Sequence, residues 1–140
     1  MDLSSIDISA AGMRVQRQRM DLAAANLANV DTTSVREESL PSEDGRQEIR
    51  HIPYRRQVAA VVCDTNGLPS LVVTEDASAF REEQQPGHPH ATAAGTVYYP
   101  NVDPMVEMVD LISASRAYEA NLTAVEVAKS MHQSALRILA

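Results

Sequence analysis

Tryptophan is absent from this chain of 140 residues, phenylalanine occurs once and tyrosine four times. Large rings bury the most surface per residue, and a compact enzyme of this length ordinarily uses several to fill its centre. Without them, surface is buried by laying slender helices against one another. Cysteine occurs once, at Cys63, so no intrachain disulfide or cysteine-built zinc site can form. Flanked by apolar residues, Cys63 reads as a small core residue. Positive charge is also scarce: the formal net charge is -7, and no Lys/Arg cluster exceeds Arg55-Arg56. A phosphate-backbone binder needs a basic patch to displace counterions, so this balance argues against nucleic acid as a partner. The acidity reads as solubility. No apolar run approaches the roughly 20 residues of a membrane helix, so direct membrane insertion is not expected. The opening Met1-Asp2-Leu3-Ser4-Ser5-Ile6 lacks the basic and apolar regions of a secretory signal. Taken alone, these absences describe a cytosolic chain with one modest domain.

What is present is helical periodicity at both ends. In residues 3–30, Leu3, Ile6, Ala10, Met13, Arg17, Met20, Ala24 and Leu27 alternate by three and four, the spacing of a coiled-coil seam. Gly12 weakens that helix by about 1 kcal/mol relative to Ala and marks a close approach. The stretch Asn29-Val30-Asp31-Thr32-Thr33 ends it, because short polar side chains compete for backbone groups. In residues 103–140, Asp103-Pro104 is a good helix start, and neither Gly nor Pro follows. This second helix carries two stripes. The bulky one includes Met108, Leu111, Tyr118, Leu122, Val125, Leu136 and Leu139; the small one includes Ala114, Ala117, Asn121, Ala128 and Met131. Two neighbouring faces call for two or more neighbours, although a helix inside an ordinary bundle has the same pattern.

Between the helices the pattern breaks. Residues 36–52 are polar, with Pro41 and Gly45, and read as an extended loop. Residues 58–63 and 68–75 are β-rich and joined through Asp64-Thr65-Asn66-Gly67, a hairpin signal. Residues 76–94 are polar again, and a short strand follows at 96–99. The expected fold is therefore mainly α: long N- and C-terminal helices packed as a coiled-coil-like pair, with a small β-hairpin element and extended loops between them. The expected organisation is a first helix in 1–33, an extended loop in 34–57, a small β-containing middle in 58–101 and a second helix in 102–140.

Candidates for chemistry are few. His88-Pro89-His90 has the look of a metal pair, but the proline splays the rings and no third ligand is near in sequence; His51 and His132 read as isolated. Cys63 has no base partner, Ser113 and Ser115 lack a nucleophile-elbow context, and no Gly-rich phosphate loop exists. No catalytic, cofactor or metal residue is expected. The amides Asn26, Asn29 and Asn121 are more informative. Asn29 reads as a helix-end cap, and Asn26 near the first helix end and Asn121 in the small stripe as residues that specify packing.

Ala24-Ala25-Asn26-Leu27-Ala28-Asn29-Val30-Asp31-Thr32-Thr33 resembles the N-terminal signature of the flagellar rod, hook and related axial proteins. Tyr98-Tyr99-Pro100-Asn101-Val102-Asp103, the run from Glu107 to Asn121, Pro53-Tyr54-Arg55-Arg56 and Pro86-Gly87-His88-Pro89 are similar to the proximal-rod branch of that family. His90 stands where an acidic residue is common in that branch. The resemblance implies a structural subunit of the proximal rod whose partners are other proximal-rod subunits, further copies of itself, and adjacent distal-rod or inner-membrane-ring components. It also implies passage through the flagellar export apparatus without a cleaved signal, and a place in the periplasmic part of the basal body. Subunit packing is then expected of Leu3, Ile6, Met13, Met20, Asn26, Leu27 and Asn29 in the first helix. In the second it is expected of Met108, Leu111, Ile112, Tyr118, Asn121, Leu122, Val125, Met131, Leu136 and Leu139. The rival reading is a free-standing acidic helical adaptor or secretion chaperone.

Overall fold

In the computed structural model, residues 5–41, 47–65 and 67–139 are described. Helix α1 (Ser5–Ala28) is rich in alanine and free of proline. It stops where Asn29 turns its side chain back onto the Ala25 carbonyl at 2.8 Å, and the Thr32 hydroxyl then donates to the Asn29 amide oxygen at 3.2 Å. At the other end of the chain, the Asp103 carboxylate accepts from the Met105 amide at 2.9 Å and caps helix α2 (Pro104–Leu139). The two helices run antiparallel: Asn26 meets Glu107 near one end, and Gly12 lies against Asn121 further along.

Among the described residues, three antiparallel hairpins separate the helices, each a two-stranded sheet of its own. Strand β1 (Arg36–Pro41) pairs with β2 (Gln47–Ile52), β3 (Gln57–Cys63) with β4 (Pro69–Glu75), and β5 (Arg81–Gln84) with β6 (Thr96–Tyr99). The turn joining β3 to β4 is closed by the Gly67 amide on the Asp64 carbonyl, with Gly67 at φ 77°, a conformation open to glycine. The β3–β4 ribbon lies along α1. The buried apolar residues are few and small: Ala11, Val15, Ala23, Val97, Val102 and Ala114.

A mainly α fold with one hairpin does not describe this molecule. It is 47% helical and about 25% strand, and the strands form three hairpins. The polar segment 36–52 is not an extended loop but the β1–β2 ribbon, although its residues 42–46 lie outside the described ones. Its ladder sets Glu38 opposite Arg50 and Glu37 opposite His51, so cross-strand charge pairing replaces apolar burial. Likewise Arg81–Gln84, inside a stretch read as polar connection, is held by pairing with Thr96–Tyr99, and the Arg81 guanidinium lies 4.9 Å from the Tyr99 ring centroid. Cys63 is exposed near the hairpin turn and is no core residue.

The coiled-coil-like seam is corrected too. On α1 the buried line runs through Ala11, Val15, Ala23 and Asn26, while Ile6, Met13, Met20 and Leu27 flank it half-buried and Arg17 is exposed. The buried line steps mostly by four, the ridge spacing of ordinary helix packing and not of a heptad. On α2 it passes through Glu107 and Ala114 and follows the small stripe, whose Ala117, Asn121 and Ala128 are half-buried.

Candidate functional site

Among the described residues, a dense polar contact forms where the end of α1, the start of α2 and the segment entering β3 converge. Asn26 is 1% exposed at its centre. Its amide nitrogen donates to the Gln57 carbonyl at 2.9 Å and to the Glu107 carboxylate at 3.0 Å. Its amide oxygen accepts from the Tyr54 hydroxyl at 2.9 Å and from the Gln57 amide at 3.0 Å. Two donors and two acceptor positions are all an asparagine side chain possesses, and all four are used.

Glu107, 2% exposed, is bound on its other oxygen by the Arg56 Nε at 2.6 Å. Arg56 also lies 3.6 Å from Asp76 and 3.8 Å from Asp110, and its backbone amide donates to Asn101 at 2.9 Å. Asn101 in turn donates to the Ser78 hydroxyl at 2.7 Å. Arg55 donates to the Asp76 carbonyl at 2.9 Å and stacks 4.4 Å from the Phe80 ring centroid. A buried carboxylate is costly unless paired and hydrogen-bonded, and here Asn26 and Arg56 do both. The hydrogen bond to Glu107 strengthens the hold of Arg56 on its proton. Burial, then the nearby Glu107 and Glu75 carboxylates, push the Tyr54 phenol above its ordinary value, so it stays a donor to Asn26. Backbone and side-chain bonds from Ser78, with Arg56 beside it, hold Asp76 below the usual carboxylate range.

These groups spend their polar atoms on one another. The cleft beside them has a volume of about 80 Å³ and is lined by Arg19, Leu22, Asn26, Arg56 and Glu107, among others. That is room for a few waters. Among the described residues, every buried side-chain nitrogen and oxygen has a partner. The junction ties the end of α1, the start of α2 and the segment entering β3 to one another.

Of the residues expected to carry packing, Asn26 alone enters this junction. Gly12 and Asn121 meet where the helices approach closely: a Cβ on Gly12 would stand 3.1 Å from the Asn121 amide nitrogen. Leu111, Tyr118, Asn121 and Val125 are half-buried on α2, and Asn29 is half-buried at the end of α1. Met108, Ile112, Leu122, Met131 and Leu136 are exposed, at 41 to 67%. Leu3 lies outside the described residues, as does the side chain of Leu139. Sequence reasoning did not single out Tyr54, Arg56, Gln57, Asn101 or Glu107 as site residues. Tyr54, Arg56, Asn101 and Glu107 stand inside the patches that carry the family resemblance, which was the available signal. His51 is not isolated: its ring centroid is 4.4 Å from that of His90. Among the described residues, no group of three or more His, Cys, Asp or Glu side chains has the geometry to hold a metal ion.

Two terminal helices locked at a polar junction, with strand ribbons between them, are the frame of the molecule. A family described as "Flagella basal body rod protein" matches residues 6–34, and "Flagellar basal body rod FlgEFG protein C-terminal" matches residues 93–138. The chain is 37% identical to the flagellar basal-body rod protein FlgC of Bacillus subtilis, over 96% of this chain and 95% of that protein. It is 35% identical to FlgC of Borreliella burgdorferi over 97% and 96%, and 38% identical to FlgC of Escherichia coli O6:H1 over 92% and 91%. The chain belongs to the FlgC family of flagellar basal-body rod proteins, and its role is that of a structural subunit of the rod.

Proposed function

We propose that this subunit builds the proximal part of the rod by polymerising through the outward faces of its two helices. The observation that carries the reading is the distribution of apolar surface on α2. Its α1-facing line is small and polar, while Met105 (67% exposed), Val109 (63%) and Ile112 (51%) form a stripe on the far side. Further along, Met131 (67%) and Leu136 (66%) are uncovered where α2 extends past the region that faces α1. Large apolar groups at such exposure gain about 1.5–3 kcal/mol each when a neighbour buries them. Met108, Ile112, Leu122, Met131 and Leu136 thus take the packing role outside the monomer, while Asn26 and Asn121 serve it by fixing the helix pair.

The partners in this reading are further copies of the chain, other proximal-rod subunits, and the adjoining distal-rod and inner-membrane-ring components. The protein passes through the flagellar export apparatus, without a cleaved signal, and assembles in the periplasm. Its work is mechanical transmission of torque, with no catalytic step. The adaptor or chaperone alternative is not favoured by the relatives, which are rod proteins at full length.

The test replaces Met105 and Ile112 by glutamate together. Circular dichroism of the isolated variant should match the parent, because both side chains are largely exposed, while purified basal bodies should lack the variant and cells should not swim. Normal incorporation of the doubly substituted chain would overturn the reading.

A further inference from the structure

We propose that His51, His88 and His90 form a proton-sensitive clasp that holds the loop between β5 and β6 against the turn after α1, and releases it in acid. Three segments distant in sequence bring the rings together. His90 Nδ1 lies 2.7 Å from the hydroxyl of Thr33, itself only 8% exposed in the turn that follows α1. His51 of β2 stands 4.4 Å from the His90 ring, tilted by 32°, and its Nδ1 lies 3.1 Å from the Ser34 hydroxyl. His88 meets the other side of His90 edge-on at 5.3 Å.

The loop is a preformed unit. The Gln85 amide donates to the Gly95 carbonyl, His88 to Gln85, Ala91 to His88, and Gly95 to Thr92. Gly95 sits at φ +78° with a Cβ position only 3.2 Å from Pro86, so the loop neck is tight. A unit closed by its own bonds docks or leaves as one body. His90 carries its contacts to Thr33 of the turn and to His51 of β2.

Protons act against this arrangement in two ways. The His88 Nδ1 accepts the His90 backbone amide at 3.1 Å, and that lone pair is lost when His88 is protonated on Nδ1. The second effect is charge. Three titratable groups bear on His90: His51 on β2, His88 on its own loop and Glu37 on β1. Burial, then His51 and His88, hold the His90 imidazole below its ordinary value, and Glu37 opposes them. Glu37 lies 3.8 Å from His51 Nδ1, so the β1–β2 ribbon brings both groups to the His90 side of the clasp. The turn adds the neutral hydroxyls of Thr33 and Ser34, and Asp31 beyond them pairs with Arg81 at 4.0 Å. A depressed histidine favours the docked state above the ordinary imidazole range, and the docked state weakens as pH falls through that range. Each unit of depression lowers the docking constant about tenfold.

Solution NMR of the full chain between about pH 7.5 and about pH 5 tests this, following the imidazole resonances and the amide protection of residues 85–95. The expected result is a His90 midpoint below the ordinary imidazole value, with loop protection lost through the same midpoint, and no such loss in His90→Asn. Unchanged loop protection over the whole range would overturn the clasp, as would an unaltered transition in His90→Asn. If that variant leaves the loop undocked at every pH, coincidence of the His90 midpoint with loop release in the parent chain decides.

Discussion

Asn26 shows how one side chain holds four pieces of backbone and side chain at once. Replacing it with leucine, close in volume, strands the Tyr54 hydroxyl, both backbone groups of Gln57 and one oxygen of Glu107. Each buried group left unpaired costs about 1–3 kcal/mol, so Asn26→Leu should lower stability by about 3 kcal/mol or more in urea denaturation. Asn26→Asp should cost at least as much at neutral pH, because a second carboxylate then faces Glu107 without an amide donor between them. A loss under about 1 kcal/mol in either variant would mean that the junction is not what ties the helices. That Asn26 is special was legible in the sequence, since a poor helix former stood near the end of a regular helical run. Its partners were not. Gln57 is 31 residues away and Glu107 is 81, and no local pattern relates them.

The helices, as elements, depend on a close approach at one residue. Gly12 lies where an added Cβ would come within 3.1 to 3.3 Å of the Asn121 amide, whose nitrogen is bonded to the Ala117 carbonyl on its own helix. Gly12→Ala gains about 1 kcal/mol of helix propensity and loses a similar amount in crowding, so its net effect should be within about 1 kcal/mol of zero. Gly12→Leu has no such space and should destabilise by about 1–3 kcal/mol in the same denaturation measurement. The close approach at Gly12 was legible from the sequence; the orientation of the helix around it was not. Alternation by three and four pointed to Met13 and Met20, but Ala11, Val15 and Ala23 face inward, because hydropathy marks the large residues and close packing selects the small ones. The strands were harder still. In the β1–β2 ribbon, residues 36–39 and 49–50 are all exposed, so no alternation of buried and exposed residues is printed there; Glu38 opposite Arg50 becomes a signal only once the register is known.

At the scale of the molecule, the helix pair has a closed end and an open one. The closed end is the junction of Asn26, Arg56 and Glu107. The open end is the last stretch of α2, where residues 131–137 are exposed. Deleting residues 131–140 should leave the thermal unfolding midpoint of the isolated chain within a few degrees of the parent, about 1 kcal/mol or less for a domain of this size. The same deletion should abolish recovery of the protein in purified basal bodies; recovery at parental levels would show that the overhang is dispensable to assembly. Residue order alone determined that both ends are helical, since alanine-rich runs without proline admit little else, and it determined the family through short motifs read without any fold. The tertiary structure decided the rest: which helix face turns inward, that residues 36–41 and 81–84 are strands, and that residues from three distant segments enclose one buried carboxylate. Those outcomes depend on pairing across long separations, and such pairing acquires an energy only after the chain has brought its parts together.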